Sequence, residues 1–342
     1  MERVLFLAHT QEGGTLPKAA LEVLTAVRQV SEAVSDGSFS VGLVGGSVQA
    51  AAGALAGSGA NAFYGVEGPE FDVSRYASDA TAAEALVRKT GATVVVVPAT
   101  SRFSRAIPGV VQRVEGRIDT HVTAVNVEDG RPSIERWYYR QRMVATLARA
   151  QRPWFLLIDA GVFAAWSGAG GAAKVEAVAA ELPDLRTRVE GEQAASAEAQ
   201  TIRPDADLLF VAGAGWTKKQ QDGQTHLKDA ESLIWDFLQK SRASLGSSKS
   251  LVDQSAEGED VISFMSHVNQ VGQTGSTPRH LKGLATCCHG EEPHVVGWRF
   301  IKERRAVNLD AGCGWAQGKA DVLYVADAFK VMAKVNEVLG NS

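Results

Sequence analysis

The chain opens on Val4-Leu5-Phe6-Leu7-Ala8, an unbroken apolar run, and that pattern returns at Phe39–Val44, Ala60–Val66 and Thr93–Pro98. Between these runs the apolar residues recur at helical spacing. Pro17–Ala33 predicts an amphipathic helix opened by Pro17, Val48–Ala56 a short alanine-rich one, Ala80–Lys89 a helix with Asp79 as its N-cap, and Arg105–Val114 another. Continuous apolar strands alternating with helices imply a parallel sheet covered on both faces. After residue 114 the spacing tightens. His121–Asn126, Ser133–Tyr139, Ala145–Ala148 and Trp154–Ile158 predict strands joined by turns such as Asp129-Gly130, an antiparallel segment attached to the parallel sheet.

From Trp166 to Arg203 the chain is rich in Ala, Glu, Gly and Gln, which predicts a linker (about 167–203) with weak helix, and a domain boundary near Pro204. The alternation then restarts. Asp207–Ala212 predicts a strand, His226–Arg242 a helix, and Ser250–Val252 and Leu281–Cys288 strands. Pro293–Ile301 predicts a short helix, Ala306–Leu309 and Asp321–Val325 strands, and Ala328–Leu339 a closing helix. The expected architecture is α/β, two domains with mostly parallel sheets: 1–203, and 204–342 with a Rossmann-like topology.

A length of 342 residues, 45% of them hydrophobic, accommodates two cores, and a net charge of -4 gives no reason to expect nucleic acid or a membrane as partner. Cys287, Cys288 and Cys313 make no disulfide framework, which favours a reducing cytoplasm, and no targeting segment is expected before the first strand. No apolar run is long enough to span a bilayer.

The chemistry concentrates in Gln270–His294, QVGQTGSTPRHLKGLATCCHGEEPH. Its glycine turns let main-chain N–H groups approach a ligand, and its Gln, Thr and His side chains supply directed hydrogen bonds. No carboxylate pair or Ser-His-Asp set stands nearby, so the reactivity belongs to a bound cofactor. Gly213-Ala214-Gly215 after a strand is part of a dinucleotide fingerprint that lacks the third glycine; a plain turn is the competing reading. The loop after Ala212, the Ser248-Lys249 turn, the loop after Cys288 and Asn308 all fall at strand ends, where open α/β sheets bind ligands. Cys287, Cys288, His289 and His294 have zinc-ligand chemistry, but adjacent strand cysteines point to opposite faces and read as core residues. His121, His267 and His280 read as surface or loop histidines, Trp216 and Trp315 as loop residues, and Lys302-Glu303-Arg304-Arg305 as a solvated helix end.

These residues resemble the alpha subunit of electron transfer flavoprotein. Gln270–Gly275 is that family's most specific short motif. His289–His294 falls on its SGAIQH loop with Gly290 and His294 matching, Asn308 and Asp310 on its NKD, and Val325-Ala326-Asp327 with Phe329-Lys330-Val331 on its closing VADLFKV. Weaker matches, including Leu21–Arg28 and Pro98–Ser101, extend the resemblance over nearly the whole chain. The resemblance implies a heterodimer with a beta-type subunit that usually holds AMP, and one FAD held by the C-terminal domain. Electrons would pass from a dehydrogenase to a quinone reductase or other acceptor, making the chain a carrier rather than a catalyst with its own substrate. It also implies that Val271, Gly272, Gln273 and Thr274 contact the flavin and its chain. His289 and Gly290 would bind the cofactor, His294 would lie at the ring and stabilise the negative charge of the reduced form, Lys249 would lie near the ring, and Ser248, Asn308 and Asp327 along the cofactor's chain and adenosine part.

Two family arginines are replaced. Ala214 stands in the GGRG turn, and Lys249 stands where GASRAAVD carries the arginine over the ring; Gln254–His267 is an insertion. An ammonium lacks the guanidinium's fork of donors. Glu291 and Glu292 add carboxylates that would repel a diphosphate unless they point to solvent. The alternative reading is therefore a flavin-deficient paralogue acting as an assembly or docking subunit.

Overall fold

The computed structural model describes residues 1–128, 131–138, 143–191, 202–203, 205–254, 261–271, 277, 279–286, 301–312 and 320–341. They group into two compact units, Met1–Glu192 and Gln193–Ser342.

The first unit is built on a nine-stranded sheet. Its strands are β1 (Val4–His9), β2 (Phe39–Gly45), β3 (Ala62–Glu67), β4 (Val94–Pro98), β5 (Arg117–Glu128), β6 (Arg131–Tyr138), β7 (Met143–Leu147), β8 (Trp154–Ile158) and β9 (Val175–Ala177). The order is β7-β6-β5-β8-β4-β1-β2-β3-β9. Alternation along β1 explains the double cover. Val4, Phe6 and Ala8 point into one core with Val23, Leu24 and Val27 of α1 (Lys18–Val34) and with Ala51 and Ala52 of α2 (Gln49–Ala54). Leu5 and Leu7 point into the other, with Phe71 of α3 (Pro69–Asp72), Leu86 of α4 (Tyr76–Thr90) and Phe103 of α5 (Ser101–Arg113).

Three sequence expectations are corrected here. Asp79 is no N-cap: α4 starts earlier, at Tyr76, and places Asp79 fully buried where its carboxylate accepts two hydrogen bonds from Arg102 at 2.9 and 2.6 Å. Arg102 also donates to the carbonyls of Phe71 and Asp72, so one guanidinium ties α5 to α3 and α4. Trp154–Ile158 does not belong to the antiparallel segment but runs parallel between β4 and β5. The stretch from Trp166 is more than linker: Val175–Ala177 pairs parallel with β3.

The antiparallel turn-back is confined to β5, β6 and β7. It is anchored by Asp119, buried in β5, which accepts hydrogen bonds from Arg149 at 2.8 and 3.0 Å and from the Trp154 indole at 2.9 Å. Burial raises this carboxyl, but the Arg149 and Trp154 hydrogen bonds outweigh it and hold it below the ordinary range. His121 sits where the β5–β8 register shifts, between Asp119 and Val122, with Nδ1 3.3 Å from the Asp159 carboxylate.

The strand order reverses direction between β1 and β4, the kind of point where α/β sheets open a crevice. Here His9, the last residue of β1, fills it. Its Nδ1 lies 3.1 Å from the Thr10 carbonyl and its Nε2 2.9 Å from Thr100 Oγ1, with its ring edge-on to Phe103. A carbonyl can only accept, so Nδ1 carries the proton and Nε2 accepts from the Thr100 hydroxyl. That hydroxyl in turn accepts from Phe103 N and caps α5.

The second unit has a five-stranded, wholly parallel sheet: β10 (Leu208–Ala212), β11 (Ser244–Ser247), β12 (His280–Thr286), β13 (Ile301–Asn308) and β14 (Val322–Val325), in the order β11-β10-β12-β13-β14. This is the order of a doubly wound sheet, with its switch point between β10 and β12. One face packs Phe210, Ala212 and Val307 against α6 (Leu227–Ser241) and α8 (Ala328–Gly340). The other packs Leu209, Val211, Ala285 and Ala306 with Val271 and Ile202.

Further corrections fall in this unit. The strand lies at Ser244–Ser247; the Ser250–Val252 segment belongs instead to a short helix, α7 (Lys249–Asp253). Lys302–Arg305 lies inside β13, not at a helix end, and Ile301 starts that strand. His280 is buried, its Nε2 2.8 Å from the Arg203 carbonyl, and Trp216 is buried rather than lining a surface. Residues 287–300 and 313–319, which include all three cysteines and Trp315, lie outside the described residues.

Candidate functional site

The carboxyl edge of the second sheet gathers the described residues that the sequence singled out. After β10 the chain turns through Gly213 into a single 3-10 turn, Ala214–Trp216. After β11 comes Ser248, whose Oγ accepts from Leu251 N at 3.2 Å and caps α7. Asn308 is buried at the end of β13. Asp327 follows β14, and its Oδ1 accepts from Phe329 N at 2.9 Å and from Lys330 N at 3.4 Å as the N-cap of α8. Backbone bonds lock the edge together: Ser248 N donates to Ala212 O, Gly213 N to Thr286 O, and Ala326 N to Asn308 O.

Val271 reaches the same edge because Gly246 has no side chain. Val271 N donates to Ser247 O at 3.1 Å, and a Cβ on Gly246 would stand 2.6 Å from Val271 Cγ2. The glycine thereby lets the segment leading into QVGQTG lie directly on β11. Gly272, Gln273, Thr274, His289, Gly290 and His294 lie outside the described residues.

The charge at this edge differs from the sequence expectation. The Lys249 ammonium is paired with the Asp253 carboxylate one turn along α7, and His267 Nδ1 stands 3.8 Å from the same carboxylate. Ala214 is fully buried in the core under α6 and α8, so an arginine at that position has no route to solvent.

Three residues that the sequence reading missed complete the edge. The Trp216 indole N–H donates to Thr286 Oγ1 at 2.8 Å, Thr286 donates onward to Val211 O at 3.3 Å, and the Trp216 ring packs on Phe329 at 4.5 Å between centroids. Only a tryptophan early in a predicted loop, directly after Gly215, hinted at this. At the mouth, His226 lies between Asp222 (2.6 Å) and Asp229 (3.3 Å), and the Asp222 hydrogen bond raises its pKa above the ordinary value.

A groove of about 580 Å³ also opens on this unit, between Leu284 of β12, Arg305 of β13, Tyr324 and Ala326 at the end of β14, and Val331 and Val335 of α8. Among the described residues no helix is long and apolar enough to cross a membrane, and no group of three or more His, Cys, Asp or Glu is placed to hold a metal.

Residues 4–185, more than half of the chain, match the electron transfer flavoprotein domain. The chain belongs to the electron transfer flavoprotein family. No curated protein matches it in sequence. The match falls on the first unit, whose parallel strands and β5–β7 excursion are therefore those of an electron transfer flavoprotein domain. The candidate edge lies beyond the matched residues, in the second unit.

Proposed function

We propose that the chain is the alpha-type subunit of an electron transfer flavoprotein, with one FAD held at the carboxyl edge of its second domain, which begins near Pro204. The observation that carries this reading is the convergence of Ser248, Lys249, Val271, Asn308 and Asp327 with the Gly213 turn on one sheet edge, around the switch point between β10 and β12. That donor set fits a dinucleotide: a glycine turn for a diphosphate, small polar caps for hydroxyls, and a close strand approach at Gly246.

In this reading the Gly213–Gly215 turn faces the diphosphate, and Ser248, Asn308 and Asp327 take the sugar and adenine portions. Val271, Gly272, Gln273 and Thr274 contact the flavin and its chain, and His289, Gly290 and His294 bind the cofactor as well. Lys249 brings its charge from α7. The bound FAD supplies the electron transfer itself. Protein groups hold it, exclude water, and place a donor, His294, where negative charge collects on reduction. The first domain packs on a beta-type subunit that holds AMP. Electrons come from a partner dehydrogenase and leave to a quinone reductase or another acceptor, in the cytoplasm.

Co-expression with a beta-type subunit tests this. The purified heterodimer is expected to be yellow and to carry about one flavin per chain pair. A complex that stays colourless after reconstitution with FAD overturns it. One observation favours a second reading, a flavin-deficient docking subunit: Lys249, the replacement for the family arginine, is already neutralised by Asp253. The colourless outcome is what that reading expects.

A further inference from the structure

We infer that Trp216 and Thr286 form a positioning pair that fixes the Gly213–Gly215 turn at the switch point, and through it sets how tightly the diphosphate of the cofactor is held. The inference rests on the FAD reading above and adds residues that lie outside the family motifs. The turn leaves β10 at the place where the sheet reverses direction, so its path is not dictated by strand pairing beyond Gly213. Two bonds to one residue of the neighbouring strand tie it to the sheet, while those from Trp216 N to Gly213 O and from Gln220 Nε2 to Gly215 O hold it within its own loop. Gly213 N donates to the Thr286 carbonyl at 2.8 Å, and the Trp216 indole donates to the Thr286 hydroxyl at 2.8 Å. The two contacts clamp the turn at both ends against the last residue of β12.

The clamp is buried. Trp216 and Thr286 are both fully buried, and the Thr286 hydroxyl is satisfied as acceptor from the indole and as donor to Val211 O. The indole is backed by Phe329, the second residue of α8, whose N–H is held by Asp327. One chain of contacts therefore runs from the Asp327 cap through Phe329 and Trp216 to Thr286 and the turn. The Trp216 ring also fills the α6 and α8 side of the switch point. In a low-dielectric setting such a network is stiff when complete and costly when half complete, because a donor left buried without an acceptor loses its hydration with nothing in return.

That asymmetry gives the test, run on the heterodimer. Trp216→Phe keeps a ring against Phe329 and removes the donor. Thr286→Val keeps the volume and leaves the indole N–H without an acceptor. FAD affinity, measured by flavin release on dilution, is expected to fall about threefold to tenfold in Trp216→Phe. It is expected to fall further in Thr286→Val, and the double variant should recover to the level of Trp216→Phe. The absorption band and midpoint potential of the FAD that remains bound should stay at the parent values, because the turn serves the diphosphate and not the ring. FAD affinity within twofold of the parent in both single variants overturns the inference. So does a shift of band and potential together with affinity, which marks a general loosening of the domain. A parent heterodimer that binds no FAD overturns the FAD reading and this inference with it.

Discussion

His9 makes the stability of the first unit depend on pH in a defined direction. Burial pushes its pKa from the ordinary 6.5 down to about 4, and the neighbouring Arg102 guanidinium adds to the shift, while the bond to the Thr10 carbonyl opposes it. A protonated ring would also present an N–H to Thr100 Oγ1, which already accepts from Phe103 N. The unfolded chain therefore binds a proton between pH 6.5 and 4 that the native unit does not, and stability is present above pH 6.5 and lost as pH falls toward 4. A gap of that size amounts to about 3.4 kcal/mol in full, and about 2 kcal/mol of it is gone by pH 5. The assay is urea unfolding at pH 7.5 and 5, comparing the parent with His9→Gln, whose amide can both accept from Thr100 and donate to Thr10. Asp79, raised by burial, acts in the opposite direction, but both proteins carry it and it cancels in the difference. The parent should lose about 2 kcal/mol more than the variant, and the His9 ring should not titrate in an NMR experiment above pH 5. A ring titrating near pH 6.5 in the native protein, or equal losses in the two proteins, refutes the reasoning.

Arg102→Met strands the buried Asp79 carboxylate and two carbonyls, and should cost about 3–5 kcal/mol in thermal unfolding; the further change Asp79→Leu should return part of it. Gly246→Ala drives a methyl into Val271 and should weaken FAD retention by about 1–3 kcal/mol, with Val271→Ala in the same chain relieving it, as read by flavin content after gel filtration. Lys249→Arg should improve FAD retention at high salt, because a guanidinium can bond Asp253 and the cofactor together. Ala214→Arg should do the reverse and lower the unfolding temperature, since it places a charge in the core.

The alternation of apolar runs and helices was legible because strands such as β4 are buried on both faces and need no polar residue. What the pattern could not carry is sheet order. Nothing local tells Trp154–Ile158 to run between β4 and β5. Ser244–Ser247 was missed because a strand of serine and glycine owes its identity to β10 beside it, while the Leu251-Val252 pair next door looks more strand-like and lies in a helix too short to show a period. Lys302–Arg305 misled for the opposite reason: Glu303 and Arg305 border an open groove, so charge is tolerated on an inner strand. At the candidate edge the capping residues Ser248 and Asp327 were legible through family motifs. The Trp216–Thr286 pair was not, because it joins residues 70 positions apart.

The place of β8 governs the order in which the first unit can be assembled. Among the described strands, β5 is paired to the parallel part of the sheet through β8, which lies between β4 on one side and β5 on the other. As the chain leaves the ribosome, β1–β4 can form one piece and the β5–β7 meander another, yet the slot between them stays vacant until Trp154–Ile158 emerges. A nascent chain arrested before Trp154 thus carries two exposed strand edges, on β4 and β5, each a template for another chain. The last stitch is made still later, when Val175–Ala177 closes the far side against β3.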